Sequence, residues 1–414
     1  MKKHILTLAA VLLASSLTLN LAACGAAAGT GASGSTQADA AAGGAAGSTA
    51  ESGTGGVAAA GNSAGSAAEG AGTVTVTDEA DRQVTVPVNP ERAAVLDIYP
   101  MAAALTVYLN SAKSLVAMEP ASMNAAKNSV LSELYPEILD VDTDILSGND
   151  VNVEALMALD PQVVFVSAGN DAEIKTLENA GLTAVAISPS KWDYDCIRTY
   201  EEWTGLLAQI YPDRGEDRAK KVSGYSGEKY DAIQAKVSGL ADEDRQKVLF
   251  LFQYDDQQMI TSGKHFFGQW WCDAVGAKNA AEEIAGENRN APITMEQVYS
   301  WNPDVIILTN FTQTKPEDLL NNAVGSDDWS TVKAVRDGRV YKMPLGTYRS
   351  YTPGVDTPIT LEWLAQKVYP DLFGDLDVKA DTVSYYRDIY GITLTDQQVE
   401  SMFNPDPSGG KLNN

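Results

Sequence analysis

Histidine is nearly missing: His4 and His265 are the only two in 414 residues. A metal centre built on several imidazoles is thereby excluded, and a site made by His265 alone would need carboxylate partners to which nothing in the sequence points. Ser262 lies close enough to His265 to suggest a nucleophile and its base, but no orienting carboxylate stands out and catalysis is not expected. From Thr73 onward there is no H-E-x-x-H, no G-x-S-x-G and no G-x-x-x-x-G-K-[ST], the markers of zinc proteases, serine hydrolases and P-loop NTPases. Cysteine is as sparse. Cys24, Cys196 and Cys272 cannot make a disulfide-dense scaffold, and the last two are either one bridge or two buried thiols. Basic charge is also short: 30 Lys and Arg against 55 Asp and Glu give a formal charge of -25. That is the wrong sign for neutralising phosphates, so nucleic acid is not an expected partner.

Long apolar runs are absent as well. The stretch Ile5–Leu13 follows Lys2 and Lys3, and Ser15, Ser16, Thr18 and Asn20 interrupt it well short of the roughly 20 residues a spanning helix needs. Its layout is that of a secretory signal over residues 1–23, and Leu21-Ala22-Ala23-Cys24 resembles the bacterial lipobox, which implies lipidation of Cys24 as a membrane anchor. Residues 24–72 are almost all Ala, Gly, Ser and Thr, with Val57 the one sizeable apolar residue, and are read as a flexible tether with a reach of about 40 Å. Gly29-Thr30-Gly31-Ala32-Ser33-Gly34 spells a dinucleotide fingerprint there, but no strand precedes it and no helix follows, so it is a chance match.

What remains is long enough for two lobes. Thr73–Thr77 and Gln83–Val88 alternate apolar and polar residues around Asp78–Arg82, as a β-hairpin does. Short β-like runs at Ala93–Ile98, Leu115–Met118, Val163–Ser167 and Ala184–Ser188 then alternate with helix-length segments, the pattern of parallel α/β units. The sequence also echoes itself: Val153-Glu154-Ala155-Leu156 leads through Asp160-Pro161 to Val163–Val166, and Met295-Glu296-Gln297-Val298 leads through Asn302-Pro303 to Val305–Leu308, at a constant offset. Residues 73–212 and 241–414 are accordingly expected to be lobes of one α/β plan. A charged helix over 213–240 is expected to join them, with Gly224 and Gly227 as weak points in its continuity.

These blocks carry a resemblance. The hairpin with Pro90-Glu91-Arg92-Ala93-Ala94-Val95-Leu96, the Val153–Pro161 block, Thr261-Ser262-Gly263-Lys264, Gly276-Ala277-Lys278-Asn279, Asn302-Pro303-Asp304-Val305-Ile306 and Trp329…Asp337-Gly338-Arg339-Val340-Tyr341 resemble the ABC-importer binding proteins for ferric siderophores, cobalamin and haem, over about Thr73 to Phe403. The resemblance implies two Rossmann-like α/β lobes joined by a single long helix, a ligand cleft between them, and a permease dimer with its ATPase as partners. It implies a monomer outside the cytoplasm, held to the membrane only by its lipid, with no cofactor and no resident metal. A ferric siderophore is the favoured ligand, with cobalamin, haem and a molybdate-like oxyanion as rivals, and an extracytoplasmic hydrolase is the alternative from another class. Tyr385-Tyr386-Arg387-Asp388-Ile389-Tyr390-Gly391 resembles a segment of family members linked to smaller metal species or oxyanions.

In open α/β sheets ligands gather beyond the carboxyl ends of strands. The residues just past the β-like runs are Tyr99, Met118-Glu119, Asn170, Trp192, Tyr254, His265-Phe266, Asn310-Phe311 and Tyr348-Arg349, an aromatic set suited to a large flat chelate. Tyr99, Met118, Trp192, Tyr254, His265, Phe266, Tyr348 and Arg349 are therefore the candidate ligand residues. Arg349 would oppose the charge of an anionic complex, and Met118 with His265 would serve a haem. The resemblance further implies one docking acid per lobe, Glu173 and Glu317, with Asp171 and Asp318 as neighbouring alternatives.

Overall fold

The structure is a computed structural model that describes residues 72–214, 216–284 and 291–411; the expected signal, Cys24 and the tether lie outside these residues. Thr73–Thr77 and Gln83–Pro87 pair antiparallel, from Thr73 opposite Pro87 to Thr77 opposite Gln83. The turn between them is fixed by Asp78, whose Oδ1 accepts from the backbone N–H groups of Ala80 and Arg82 at 3.1 and 2.9 Å. Its Oδ2 pairs with Arg82 at 2.6 Å and also accepts from Ala186 N–H, which ties the hairpin to the first lobe's sheet.

That sheet has four parallel strands in the spatial order Leu115–Met118, Ala93–Val95, Val163–Ser167, Ala184–Ile187. Its strands are continuous apolar runs because both faces are covered. Val163 and Phe165 join the large cluster that includes Tyr108 and Trp203, while Val164 and Val166 pack against Leu156, Ile174 and Leu177 on the other side. In the second lobe Lys247–Tyr254, Val305–Leu308 and Val340–Lys342 are parallel neighbours. Met259–Thr261 returns antiparallel to Lys247–Tyr254, a departure from an all-parallel lobe. Only four residues separate the two strands, too few for a crossover, and Asp255 Oδ1 closes the turn by accepting from the N–H groups of Gln257 and Gln258.

The sequence echo is an echo in atomic detail. The helices Val153–Ala158 and Met295–Trp301 begin after Asn152 and Thr294, and end in left-handed Asp160 (φ 46°) and Asn302 (φ 44°), each followed by Pro. Next come Gln162 and Asp304. Gln162 Oε1 accepts from Arg92 N–H at 3.1 Å, and Asp304 Oδ2 accepts from Lys247 N–H at 2.8 Å, so each pins the start of its lobe's first parallel strand. The side chains of Arg92 and Lys247 reach back to the carbonyls of Leu159 and Trp301.

The helix Glu216–Val237 runs unbroken between the lobes, packed on Cys196–Ile210 of the first and Thr357–Val368 of the second. Gly224 and Gly227 do not break it, because the cost of about 1 kcal/mol per glycine is small against the packing the helix gains on the helices of both lobes. Lys229 anchors its middle to buried Glu362 at 2.8 Å and to Asp381 at 3.2 Å. Its first turn is held by Arg218, which stacks over Tyr108 and Tyr390. Cys196 and Cys272 are both free and fully buried, which settles the open alternative in favour of two separate thiols.

Candidate functional site

The site is built on the loop that follows the strand Val340–Lys342. Gly346 opens the loop with φ 54°, and a side chain there would collide with the carboxylate of Asp356. That carboxylate is fully buried. Its Oδ2 accepts from both N–H and Oγ1 of Thr347 at 2.7 Å, and Tyr386 Oη donates to Oδ1. Tyr385 donates to Val355 O at 2.7 Å and shares hydroxyl contacts with Tyr390, which contacts Tyr200 in turn. The tyrosines of the Tyr385–Gly391 segment thus brace the loop from behind. The loop reaches the first lobe, where Ser129 Oγ donates to Thr347 O and Val130 N–H donates to Gly346 O.

Arg349, at the loop's tip, is 1 % exposed. Nε donates to Gly409 O at 3.1 Å and Nη2 to Lys411 O at 2.8 Å, while the guanidinium lies 5.0 Å from the ring centre of Phe311 and 5.7 Å from that of Tyr348. Among the described residues no carboxylate lies within ion-pair distance of it, and Nη1 makes no hydrogen bond. The neighbouring hydroxyl of Ser350 is buried without a partner among the described residues, and the buried phenol of Tyr348 faces the guanidinium, which works against the upward push of burial on it. A buried charge is ordinarily paired, and among the described residues this one is met by two carbonyls and two aromatic rings.

Across from it the first lobe presents acids. Left-handed Asp97 (φ 59°) follows the strand Ala93–Val95, and buried Glu119 follows Leu115–Met118. Asn170 Nδ2 bridges Asp97 at 3.2 Å and Glu173 at 2.6 Å. Burial, opposed by the N–H of Asp97, pushes Glu119 up to about 7. Glu173 is raised well above the carboxylate range by burial and by the charge of Asp97. Between the two lobes stands Tyr99, whose phenol is held protonated by burial and then by Glu119, Tyr348 and Asp97, with Arg349 opposing. An aromatic wall closes the second-lobe side: Phe252 lies 4.7 Å from Phe311 and 5.9 Å from Phe266, and Phe266 touches Tyr194 at 5.4 Å.

Of the residues singled out from sequence, the structure brings together Tyr99, Glu119, Phe311, Tyr348 and Arg349, with Phe266 in the wall beside them. Four others stand elsewhere. Met118 is fully buried in the core beneath the strand, and His265 is exposed, so they do not face each other as haem ligands would. Tyr254 turns to the sheet's opposite face, where its hydroxyl donates to Asp327 and accepts from Trp329. The strand end carries it there, next to the register shift between Ile260 and Thr261. Trp192 is half-exposed under Arg198. Ser262 is bonded to Tyr351, not to His265, so the residues of the imagined dyad are apart. Asp97 and Ser350 were missed, and so was Glu173 as a member of the acidic group. Asp97 lies two residues past the strand Ala93–Val95, inside the run Ala93–Ile98 that the sequence pattern reads as one strand, which hides it among strand residues.

The chain belongs to the periplasmic binding protein family, whose sequence profile matches residues 106–345. It is an extracytoplasmic binding protein, built on the two-lobe fold shared with its structural neighbours. It is similar to the molybdate-binding protein MolA of Haemophilus influenzae, 27 % identical over 343 residues that cover 76 % of this chain and 90 % of that one. It is also similar to an ABC transporter substrate-binding lipoprotein of Bacillus subtilis, YvrC, 25 % identical over 307 residues that cover 72 % and 87 % of the two chains. In three dimensions it matches a periplasmic solute-binding protein of Veillonella parvula with a TM-score of 0.70 at 27 % identity, covering 80 % of this chain and 97 % of that one. MolA with bound molybdate has the same fold, with a TM-score of 0.63 at 22 % identity over 78 % and 99 % of the chains.

Proposed function

We propose that this protein captures a small, oxygen-rich anion of the molybdate type and hands it to an ABC importer. One observation carries the reading: Arg349 is a buried guanidinium with no carboxylate partner among the described residues, flanked by the phenol of Tyr348 and the unpaired hydroxyl of Ser350. A dianion placed there would supply a counter-charge and accept charge-assisted hydrogen bonds, while Glu119 and Glu173, which burial pushes toward the protonated form, would donate rather than repel. The similarity to a molybdate-binding protein supports it. A ferric siderophore, first choice from sequence, is the second reading, and the aromatic wall of Phe252, Phe266 and Phe311 favours it. The partners are a permease and its ATPase. The exposed acids Asp171 and Glu317 are the better docking pair, because Glu173 is engaged with Asn170 inside the acidic group. Cys24 carries the lipid anchor, and the protein has no catalytic activity of its own.

The test is calorimetric titration of the purified protein with molybdate, a ferric siderophore, cobalamin and haem, repeated on Arg349→Ala. Molybdate binds the parent protein, and the substitution weakens it by about 1–3 kcal/mol. Tight binding of a neutral chelate that is indifferent to Arg349 would sink the reading.

A further inference from the structure

Arg349 does not reach its site unaided. The short helical turn Pro407–Gly410 returns to the junction of the lobes and offers two carbonyls to the guanidinium, Gly409 O to Nε and Lys411 O to Nη2. The same Lys411 oxygen also accepts from Nδ2 of Asn124, at 2.5 Å, on the first-lobe helix Pro120–Lys127. A single carbonyl therefore holds one side chain from each lobe. The fit requires glycine twice. A Cβ on Gly410 would run into the carbonyl of Thr312, and one on Gly409 would stand 2.7 Å from Leu345 and 3.6 Å from Asn128. The turn is fixed at its start by Asp406, whose Oδ1 accepts from Ser408 N–H at 2.8 Å.

We propose that the segment Pro407–Lys411 is an interlobe clasp that sets ligand size, by occupying one edge of the Arg349 fork and holding the lobes at the spacing of a small anion. The proposal rests on the reading of Arg349 as the anion-binding residue. An unclasped guanidinium would offer two parallel N–H pairs to a ligand, and unclasped lobes could part around a bulkier one. With the clasp in place, Nη1 is left for the ligand and the first-lobe helix is tied to the second-lobe loop. The segment thus positions Arg349 and decides specificity without itself touching the ligand.

The experiment uses the full chain and three variants: Gly410→Val, Asn124→Ala and deletion of residues 405–414. Hydrogen exchange of the amides in 346–350 and 120–127 is followed without any ligand, and affinities are measured for molybdate and for a ferric tris-catecholate. Exchange in both stretches speeds up in every variant that keeps a cooperative melt. The ratio of molybdate to catecholate affinity falls by about tenfold, equal to a 1.4 kcal/mol change in preference. Unchanged exchange together with an unchanged ratio in Asn124→Ala, the mildest of the three, would overturn the clasp. The reading of Arg349 fails separately, if Arg349→Ala in the intact chain leaves molybdate affinity unaltered; the exchange rates then decide the clasp alone.

Discussion

The two lobes share a frame and differ at the rim. Asn152 and Thr294, Asp160 and Asn302, and Gln162 and Asp304 hold equivalent posts at a fixed spacing, down to the Arg92 and Lys247 side chains that seal the preceding helices. Yet the loops beyond the strands carry opposite chemistry. The first lobe ends in Asp97, Glu119 and Glu173, and the second in Arg349 among aromatics. Caps and strand-start hydrogen bonds fix a lobe's shape wherever they recur, whereas binding chemistry sits on loops that the frame does not constrain.

The sharpest break in this comparison acts on the outer surface. Asp171→Lys combined with Glu317→Lys is expected to abolish uptake in a cell-based transport assay while ligand affinity and melting temperature stay as they were. Interfacial charges steer a partner without disturbing a remote cleft. Next in size is the connection between lobes. Lys229→Met strands the Glu362 carboxylate in the core, at an expected cost of about 3–5 kcal/mol in urea unfolding, and Glu362→Leu added to it recovers most of the loss.

A third effect is read by pH, from buried carboxyls at the rim and in the core. Burial pushes Glu119 and Glu362 up to about 7 and Glu79 to about 8, above the ordinary value of about 4.3. The folded state therefore holds more protons than the unfolded one. The associated stability is complete below about pH 4 and is lost as pH rises through 7 to 8. Thermal melts are expected to peak on the acid side and to fall between pH 6 and pH 8.5. Glu119→Gln should flatten that slope, which a mere drop in net-charge repulsion would not explain. The smallest effect tests the frame itself. Asp160→Ala loses only a residue tolerant of the left-handed region, about 1 kcal/mol, whereas Asn302→Ala also loses its acceptor for Lys333 N–H and is expected to cost about 1–2 kcal/mol by chemical denaturation.

Much of the frame was legible because its signals are local. The Asp-Pro and Asn-Pro pairs mark helix ends, and the apolar runs after them mark buried strands. The long helix was legible too, and its glycines misled only about continuity, since a glycine on an open helix face costs about 1 kcal/mol and does not break packing that neighbours supply. The site was half legible. Tyr348 and Arg349 sit on the loop that follows the strand Val340–Lys342, and Tyr99 lies just past the run Ala93–Ile98. Tyr254 was misplaced because a register shift, invisible in the residue pattern, turns the strand's end. The Gly409–Lys411 contacts lie some sixty residues from Arg349 in sequence, and no periodicity announces such a return.

The two free thiols have a consequence for how the chain must be made. Cys196 and Cys272 are fully buried, and burial lifts both thiols far above the range where thiolate forms. In the folded protein they are inert to the oxidants met outside the cytoplasm. Before folding they enjoy no such shelter, and a bridge formed then would replace two thiols that the native fold keeps free. Export therefore sets up a race between burial and oxidation. The apolar cluster that encloses both sulfurs is what lets Cys196 and Cys272 persist as thiols in an oxidising space.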